Sequence, residues 1–209
     1  MKQNFVYRHP IIYTLYLRCS LPLRQLSKRM KLISRIAGKN KTILDVACGP
    51  AHLYDYLDNT NHYSGFDLNK KFIDYAIKKY KLNLKIGDAT DSKAYKKSDV
   101  VILLDILHHL TDIKRKVTIN NSFSNAIEKV IICEPYVPDF FKKKGLLVRF
   151  AKMVFEYFER DGYNKVTIDI GLYKEQLRRA LLNHFGAKVN GWKLEIVEST
   201  GYLIGIYTK

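Results

Sequence analysis

From Lys41 to the C-terminus, short apolar runs alternate with segments whose apolar residues recur every three or four positions. Ile43–Val46 reads as a strand, followed by a helical stretch to about Asp58. His62–Phe66 reads as a second strand. The next segment, Asn69–Lys81, reads as a helix with Asn69 as N-cap, because Phe72, Ile73, Ala76, Ile77 and Tyr80 share one face at helical spacing. Leu82–Ile86 is a third strand, and the unbroken apolar run Val100–Leu104 is a fourth, as expected of a strand buried on both faces. A helix of undefined limits then leads to a fifth strand, Lys129–Cys133. This alternation predicts a parallel sheet with helices on both faces.

The end of the chain, from Lys174, breaks that rhythm. Lys174–Phe185 reads as a helix with Leu177, Ala180 and Leu181 on one face, and Trp192–Val197 and Tyr202–Tyr207 read as strands six and seven. Only Glu198–Gly201 separates that pair, too little chain for a parallel crossover, so the two must form an antiparallel hairpin. The fold class predicted is therefore α/β: a mostly parallel, twisted seven-stranded sheet with helices on both faces and the last strand antiparallel.

Two segments stand outside this frame. Residues 1–41 form a basic, helix-like N-terminal extension to a domain spanning 42–209. Within that domain, 136–167 is an insert rich in Phe and Leu interleaved with Lys142, Lys143, Lys144, Arg149 and Lys152. In the extension, Leu23–Ile36 reads as an amphipathic helix with Leu26, Met30, Ile33 and Ile36 on its stripe and Arg24, Lys28, Arg29, Lys31 and Arg35 elsewhere.

Charge sharpens the picture of the extension. The chain of 209 residues has a formal net charge of +16, and residues 1–42 hold ten Lys or Arg and no acid. A field concentrated in this way favours anionic partners such as RNA, acidic lipid headgroups or a phosphorylated small molecule, or else serves only solubility. Ile11–Leu17 is too short an apolar run to span a bilayer, and no cleavage site follows it, so the expected location is cytoplasmic, with peripheral membrane contact left open. Three scattered cysteines give neither a disulfide framework nor a zinc spacing, and no metal is expected.

The chemistry gathers at the ends of the strands. After the first comes Asp45-Val46-Ala47-Cys48-Gly49-Pro50-Ala51. A dinucleotide loop needs G-x-G-x-x-G, but those places hold Ala47, Gly49 and His52; a Walker loop would end in G-K-[ST], which is absent. Spacing by twos, at 47, 49 and 51, instead resembles the D-x-G-x-G-x-G motif I of class I S-adenosylmethionine (SAM)-dependent methyltransferases. Pro50 suits a first helical position there. Alanine at 47 is a mild departure, and alanine at 51 is expected to press one methyl toward the methionine end of the cofactor.

The resemblance covers roughly Thr42 to Lys209 and continues in order along the chain. After the second strand, Asp67-Leu68 occupies the place of the family's ribose-binding acid, and a carboxylate with two acceptor oxygens suits a vicinal diol. After the third, Asp88-Ala89 resembles the adenine-site segment. After the fourth, Asp105-Ile106-Leu107-His108-His109-Leu110 resembles the LHHL segment common in small-molecule methyltransferases. The resemblance implies SAM as cofactor, S-adenosylhomocysteine as product, and Asp45, Ala47, Cys48, Gly49, Ala51, Asp67, Leu68, Asp88, Ala89 and Asp105 as its cofactor-binding residues.

The acceptor is less legible. The N-P-P-Y or D-P-P-Y tetrapeptide of base-amine methyltransferases is missing after the fourth strand, and Cys133 lacks the Pro-Cys or Thr-Cys context of base-carbon methylation. His108 and His109 are candidates for general base near neutral pH; Glu134, Tyr136 and Tyr163 are candidates for lining the acceptor pocket. The expectation is an enzyme acting on a small-molecule or lipid-like acceptor enclosed by the extension and the insert. An RNA methyltransferase holding phosphates with its basic arm is the second reading, and a non-catalytic SAM-binding protein, hinted at only by Ala51, is the third.

Overall fold

The computed structural model describes residues 4–19, 26–137, 139–142, 145–158, 172–187, 189–199 and 201–209. Seven strands form one sheet: β1 (Thr42–Val46), β2 (His62–Asp67), β3 (Leu84–Ile86), β4 (Ser98–Leu104), β5 (Ala126–Pro135), β6 (Lys193–Ser199) and β7 (Tyr202–Thr208). Their order is β3-β2-β1-β4-β5-β7-β6. The first five are parallel, and β7 runs antiparallel between β5 and β6, as the short hairpin connection requires. The chain steps outward in one direction from β1 to β3 and in the other from β4 to β5. The reversal between β1 and β4 opens a crevice at the carboxyl ends of those two strands, which is where open α/β sheets bind ligands.

Side-chain alternation fills both faces. Ile43, Val100, Ile102, Ile131 and Cys133 point into one layer with Met30 and Ile33 of α3 (Leu26–Ala37) and Ile73 and Ala76 of α4 (Lys70–Tyr80). Leu44, Val101, Leu103, Val130 and Ile132 point into the other with Ile119 of α5 (Asp112–Asn125) and Leu177 and Leu181 of α7 (Lys174–Leu182). The helix of the basic extension is thus a working part of the core, with Ile33 fully buried. Ahead of it lie α1 (Phe5–Arg8) and α2 (Pro10–Cys19), and α6 (Leu146–Phe158) lies in the insert.

The differences from the expected elements have local causes. The helix expected through Asp58 is only a 3-10 turn, His52–Tyr56. Ala51 enters it in the left-handed conformation, and Leu57 leaves it extended. Five residues is already long for this tighter winding. Pro50 therefore precedes the turn and starts no α-helix. The expected helix to Phe185 ends at Leu182, where Asn183 and a 3-10 turn at His184–Gly186 take over. β5 starts directly out of α5 and is longer than the apolar run alone indicated, while edge strand β3 is shorter. Asn69 caps α4 as expected, accepting from the Lys71 N–H.

Candidate functional site

The ends of β1, β2, β3 and β4 surround a cavity of about 340 Å³, roofed by the N-terminal segment. That volume falls within the range of small-molecule sites. The loop Ala47–Ala51 forms its floor. After β1 the chain turns back so tightly that the Cys48 N–H donates to the Phe66 carbonyl of β2 at 3.0 Å. This approach requires Gly65: a Cβ there would lie 2.9 Å from both the Asp45 carbonyl and the Cys48 Cβ.

Ala47, Gly49 and Ala51 all have positive φ, at 57°, 54° and 59°. The spacing by twos is therefore a backbone requirement that glycine meets most cheaply and that alanine here meets with strain. Ala47 and Gly49 line the cavity. Ala51 does not meet the expectation of crowding the ligand: its methyl is fully buried in the core on the α3–α4 side.

Three carboxylates reach this end of the sheet from β1, β2 and the β3 loop. Asp67 accepts from the Gly49 N–H at 2.9 Å and the Asn69 N–H at 2.7 Å, so it clamps the loop to the start of α4 while lining the cavity. Asp88 closes its own turn by accepting from the Thr90 N–H and hydroxyl. Asp45 is buried, with one oxygen taking the Tyr63 hydroxyl at 2.7 Å and the other, Oδ1, holding no protein hydrogen bond. Burial pushes its carboxyl up to about 7, against the Tyr63 hydrogen bond, and the Asp67 charge adds to the rise. A buried acceptor without a partner at a cavity wall is a place for a ligand's donor. Leu68 and Ala89 also line the cavity, as expected. Cys48 lines it too, and burial holds its thiol well above its ordinary range, so it serves as packing.

The β4 end is organised by one ion pair and one histidine–carboxylate hydrogen bond. Asp105, in the left-handed conformation at φ 54°, receives Arg29 of α3 through two contacts of 2.8 and 2.7 Å. The Arg29 guanidinium is buried and lies 4.0 Å over the Tyr202 ring. Burial works against its charge, yet Asp105, with Cys133 and Tyr202, more than restores it, so the group titrates above its ordinary value. The apolar spacing by itself sets Arg29 off the stripe. Its place three residues after Leu26 and four before Ile33 sets it at the margin of the apolar stripe, which is the signal that could have found it.

Glu134 and His108 are spent on structure. Glu134 accepts the N–H groups of Ile106, Leu107 and His108 and bonds His108 Nδ1 at 2.7 Å. It therefore fixes the turn after β4 and does not line the cavity, contrary to its expected role. Tyr136 stands away as well, half-buried against the opposite layer with Lys174 above its ring. Tyr163 lies outside the described residues. His109 does reach the cavity, its ring centroid 4.2 Å from that of His108. Burial, reinforced by His108, lowers its pKa well below the usual imidazole range, so it is neutral near pH 7.

The roof is aromatic. Tyr7 and Tyr13 pack on Phe72 of α4, and Tyr13 stacks on His52 of the loop's 3-10 turn. The Asn69 side chain donates to the Tyr7 carbonyl at 2.8 Å. Leu26 and Met30 of α3 complete that side, and Lys114 of α5 reaches the wall from the other. The extension is expected from the sequence to enclose the acceptor, but none of these residues was singled out as lining the site, because local spacing does not say which side chains of the arm reach the strand ends.

Comparison with known proteins agrees with the geometry. Residues 43–124 match the family model described as a methyltransferase domain. Among solved structures, the chain is similar to a TehB-like SAM-dependent methyltransferase from Corynebacterium glutamicum at TM-score 0.58 and 16% identity, covering 97% of this chain and 98% of that one. Magnesium protoporphyrin IX methyltransferase from Synechocystis, with bound SAH, is similar at TM-score 0.58 and 17% identity, covering 90% and 84%. A DhpI–SAH complex is similar at TM-score 0.62 and 13% identity, covering 97% and 93%. No curated protein sequence matches the chain. Residues 43–124 thus match a methyltransferase domain, and the chain shares the fold of these SAM-dependent methyltransferases.

Proposed function

We propose that the protein transfers the methyl group of SAM to a small-molecule or lipid-like acceptor enclosed beneath the N-terminal arm. The observation that carries this reading is the roof: Tyr7, Tyr13, Leu26 and Met30 close an apolar-sided cavity over the strand ends, and the segment bearing Tyr7 and Tyr13 is tied to α4 by Asn69. A roofed site suits an acceptor that is swallowed whole more than a polymer that must run through.

In this reading Asp67 takes the ribose hydroxyls, Asp88 the adenine amine, and the buried Oδ1 of Asp45 the ligand's amino group, with Gly49 allowing close approach of backbone. The cofactor supplies an electrophilic methyl on a sulfonium sulfur. The protein's part is alignment and exclusion of water, which together carry much of the rate in such transfers. His109, neutral and at the wall, is positioned to accept the acceptor's proton, and His108, held by Glu134, sets the face that His109 presents.

The test is incubation with methyl-labelled SAM and a cell extract, followed by phase partition. Label in the organic or small-molecule fraction supports the reading. Label in RNA overturns it and makes the exposed Lys28, Lys31 and Arg35 of α3 a phosphate-binding face.

A further inference from the structure

Helix α6 turns a stripe of apolar residues outward. Leu146, Leu147, Phe150, Met153, Val154 and Tyr157 recur at the spacing of one helical face and all are exposed, Leu146 at 83% and Leu147 at 72%. Val148, on the opposite side, is buried. Single exposed apolar residues are ordinary on a protein surface, whereas a contiguous stripe of this size marks an interaction site. A second apolar surface adjoins it. Phe5 of α1 and Ile11, Ile12 and Leu15 of α2 are exposed. The Asn4 side chain that caps α1 also donates to the Tyr157 carbonyl of α6 at 2.6 Å, which ties the two surfaces together.

The segment that carries α6 is basic in sequence. Lys142, Lys143 and Lys144 precede α6 in the chain, and Arg149 and Lys152 lie on it against a single acid, Glu156. Arg8, at the end of α1, is exposed as well.

We propose that α6, with the exposed faces of α1 and α2, docks the protein on an anionic lipid surface, with α6 lying in the plane of the interface. Exposed apolar side chains on a helix flanked by lysine and arginine are what an interfacial helix requires. At 13 residues α6 spans about 20 Å, enough to lie along a bilayer and too little to cross it. Charge complementarity selects the occupant: each basic residue near an acidic leaflet adds attraction, whereas a second copy of a chain with net charge +16 would bring like charge against like. The docking face also borders the cavity roof, since α1 carries both Asn4's link to α6 and Tyr7 of the cavity lining.

The experiment is flotation of the full chain with vesicles of phosphatidylcholine alone and of phosphatidylcholine mixed with phosphatidylglycerol, at low and high salt. It is repeated with the variant Leu147→Gln/Phe150→Gln, whose fold is checked by its affinity for S-adenosylhomocysteine. Both side chains face water, so that affinity is expected to match the wild type. The expected result is binding to the mixed vesicles only, weakened by salt, with a partition at least about tenfold lower for the variant. Wild-type protein that floats with neither vesicle overturns the proposal, as does equal binding by the variant. A concentration-dependent dimer that the variant abolishes, with no vesicle binding, overturns it in favour of a second copy as the occupant.

Discussion

Arg29 of the N-terminal helix α3 and Asp105 at the carboxyl end of β4 form a two-point ion pair, with contacts of 2.8 and 2.7 Å, at the wall of the strand-end cavity. The pair joins the arm to the strand that carries the LHHL segment. It also holds Asp105 in a left-handed conformation that a non-glycine residue adopts only under constraint. Arg29→Met is expected to lower unfolding stability by about 3 kcal/mol, because it leaves a partly buried carboxylate without its partner. Denaturant unfolding of Arg29→Met, Asp105→Asn and the double variant checks this. The double variant should cost clearly less than the sum of the two single ones.

Asp67 ties the loop Ala47–Ala51 to α4 through Gly49 and Asn69. Asp67→Ala is expected to weaken cofactor binding at least about tenfold, the scale of losing hydrogen bonds to a charged acceptor, while the fold persists. Asp67→Asn keeps an acceptor oxygen and should lie between the two. Equal affinity for all three would show that the ribose hydroxyls are held elsewhere.

The two alanines of the loop should answer differently to glycine. At Ala47, φ 57° and half-buried, glycine relieves left-handed strain and offsets its own unfolded-state entropy, so Ala47→Gly should be neutral or stabilising by up to about 1 kcal/mol. At Ala51 the same relief is opposed by the loss of a fully buried methyl, worth about 0.8 kcal/mol before any cavity cost, so Ala51→Gly should be the less stable of the two. Thermal unfolding of both variants decides it.

Asp45 and His109 impose pH slopes of opposite sign. The folded-state pKa of Asp45 is raised, to about 7. Its contribution to stability is therefore full below about pH 4 and is lost as pH rises through about 7. The folded-state pKa of His109 is lowered, so its contribution is present above about pH 6.5 and is lost as pH falls below that. Asp45→Asn should leave stability rising with pH across this window, and His109→Gln should leave it falling. A cationic amino group at Asp45 Oδ1 favours the ionised carboxylate, so cofactor binding near pH 6 should release a proton, visible as a buffer-dependent heat of binding.

Much of this molecule was legible from periodicity. The alternation of strands and helices and the short connection Glu198–Gly201 placed the sheet, because period and turn length are local properties, and Asp45, Asp67, Asp88 and Asp105 all line the same strand-end cavity. What was not legible depends on contacts between distant segments. Glu134 looked like a pocket acid because it follows a strand, yet its oxygens are consumed by the turn 26 to 28 residues earlier. Arg29 looked like surface charge because its partner lies 76 residues on. The roof of Tyr7 and Tyr13 is likewise non-local, and the short 3-10 turn after the loop follows from Ala51's left-handed backbone, which no apolar spacing announces.

The most direct test of the cofactor site is calorimetric titration of S-adenosylmethionine and S-adenosylhomocysteine into the wild-type protein and into Asp67→Ala. The structure predicts one-to-one binding of both ligands by the wild type, with affinity lowered at least about tenfold in the variant. A wild type that binds neither ligand, or a variant that binds both as tightly, would contradict the assignment of the strand-end cavity as the cofactor site.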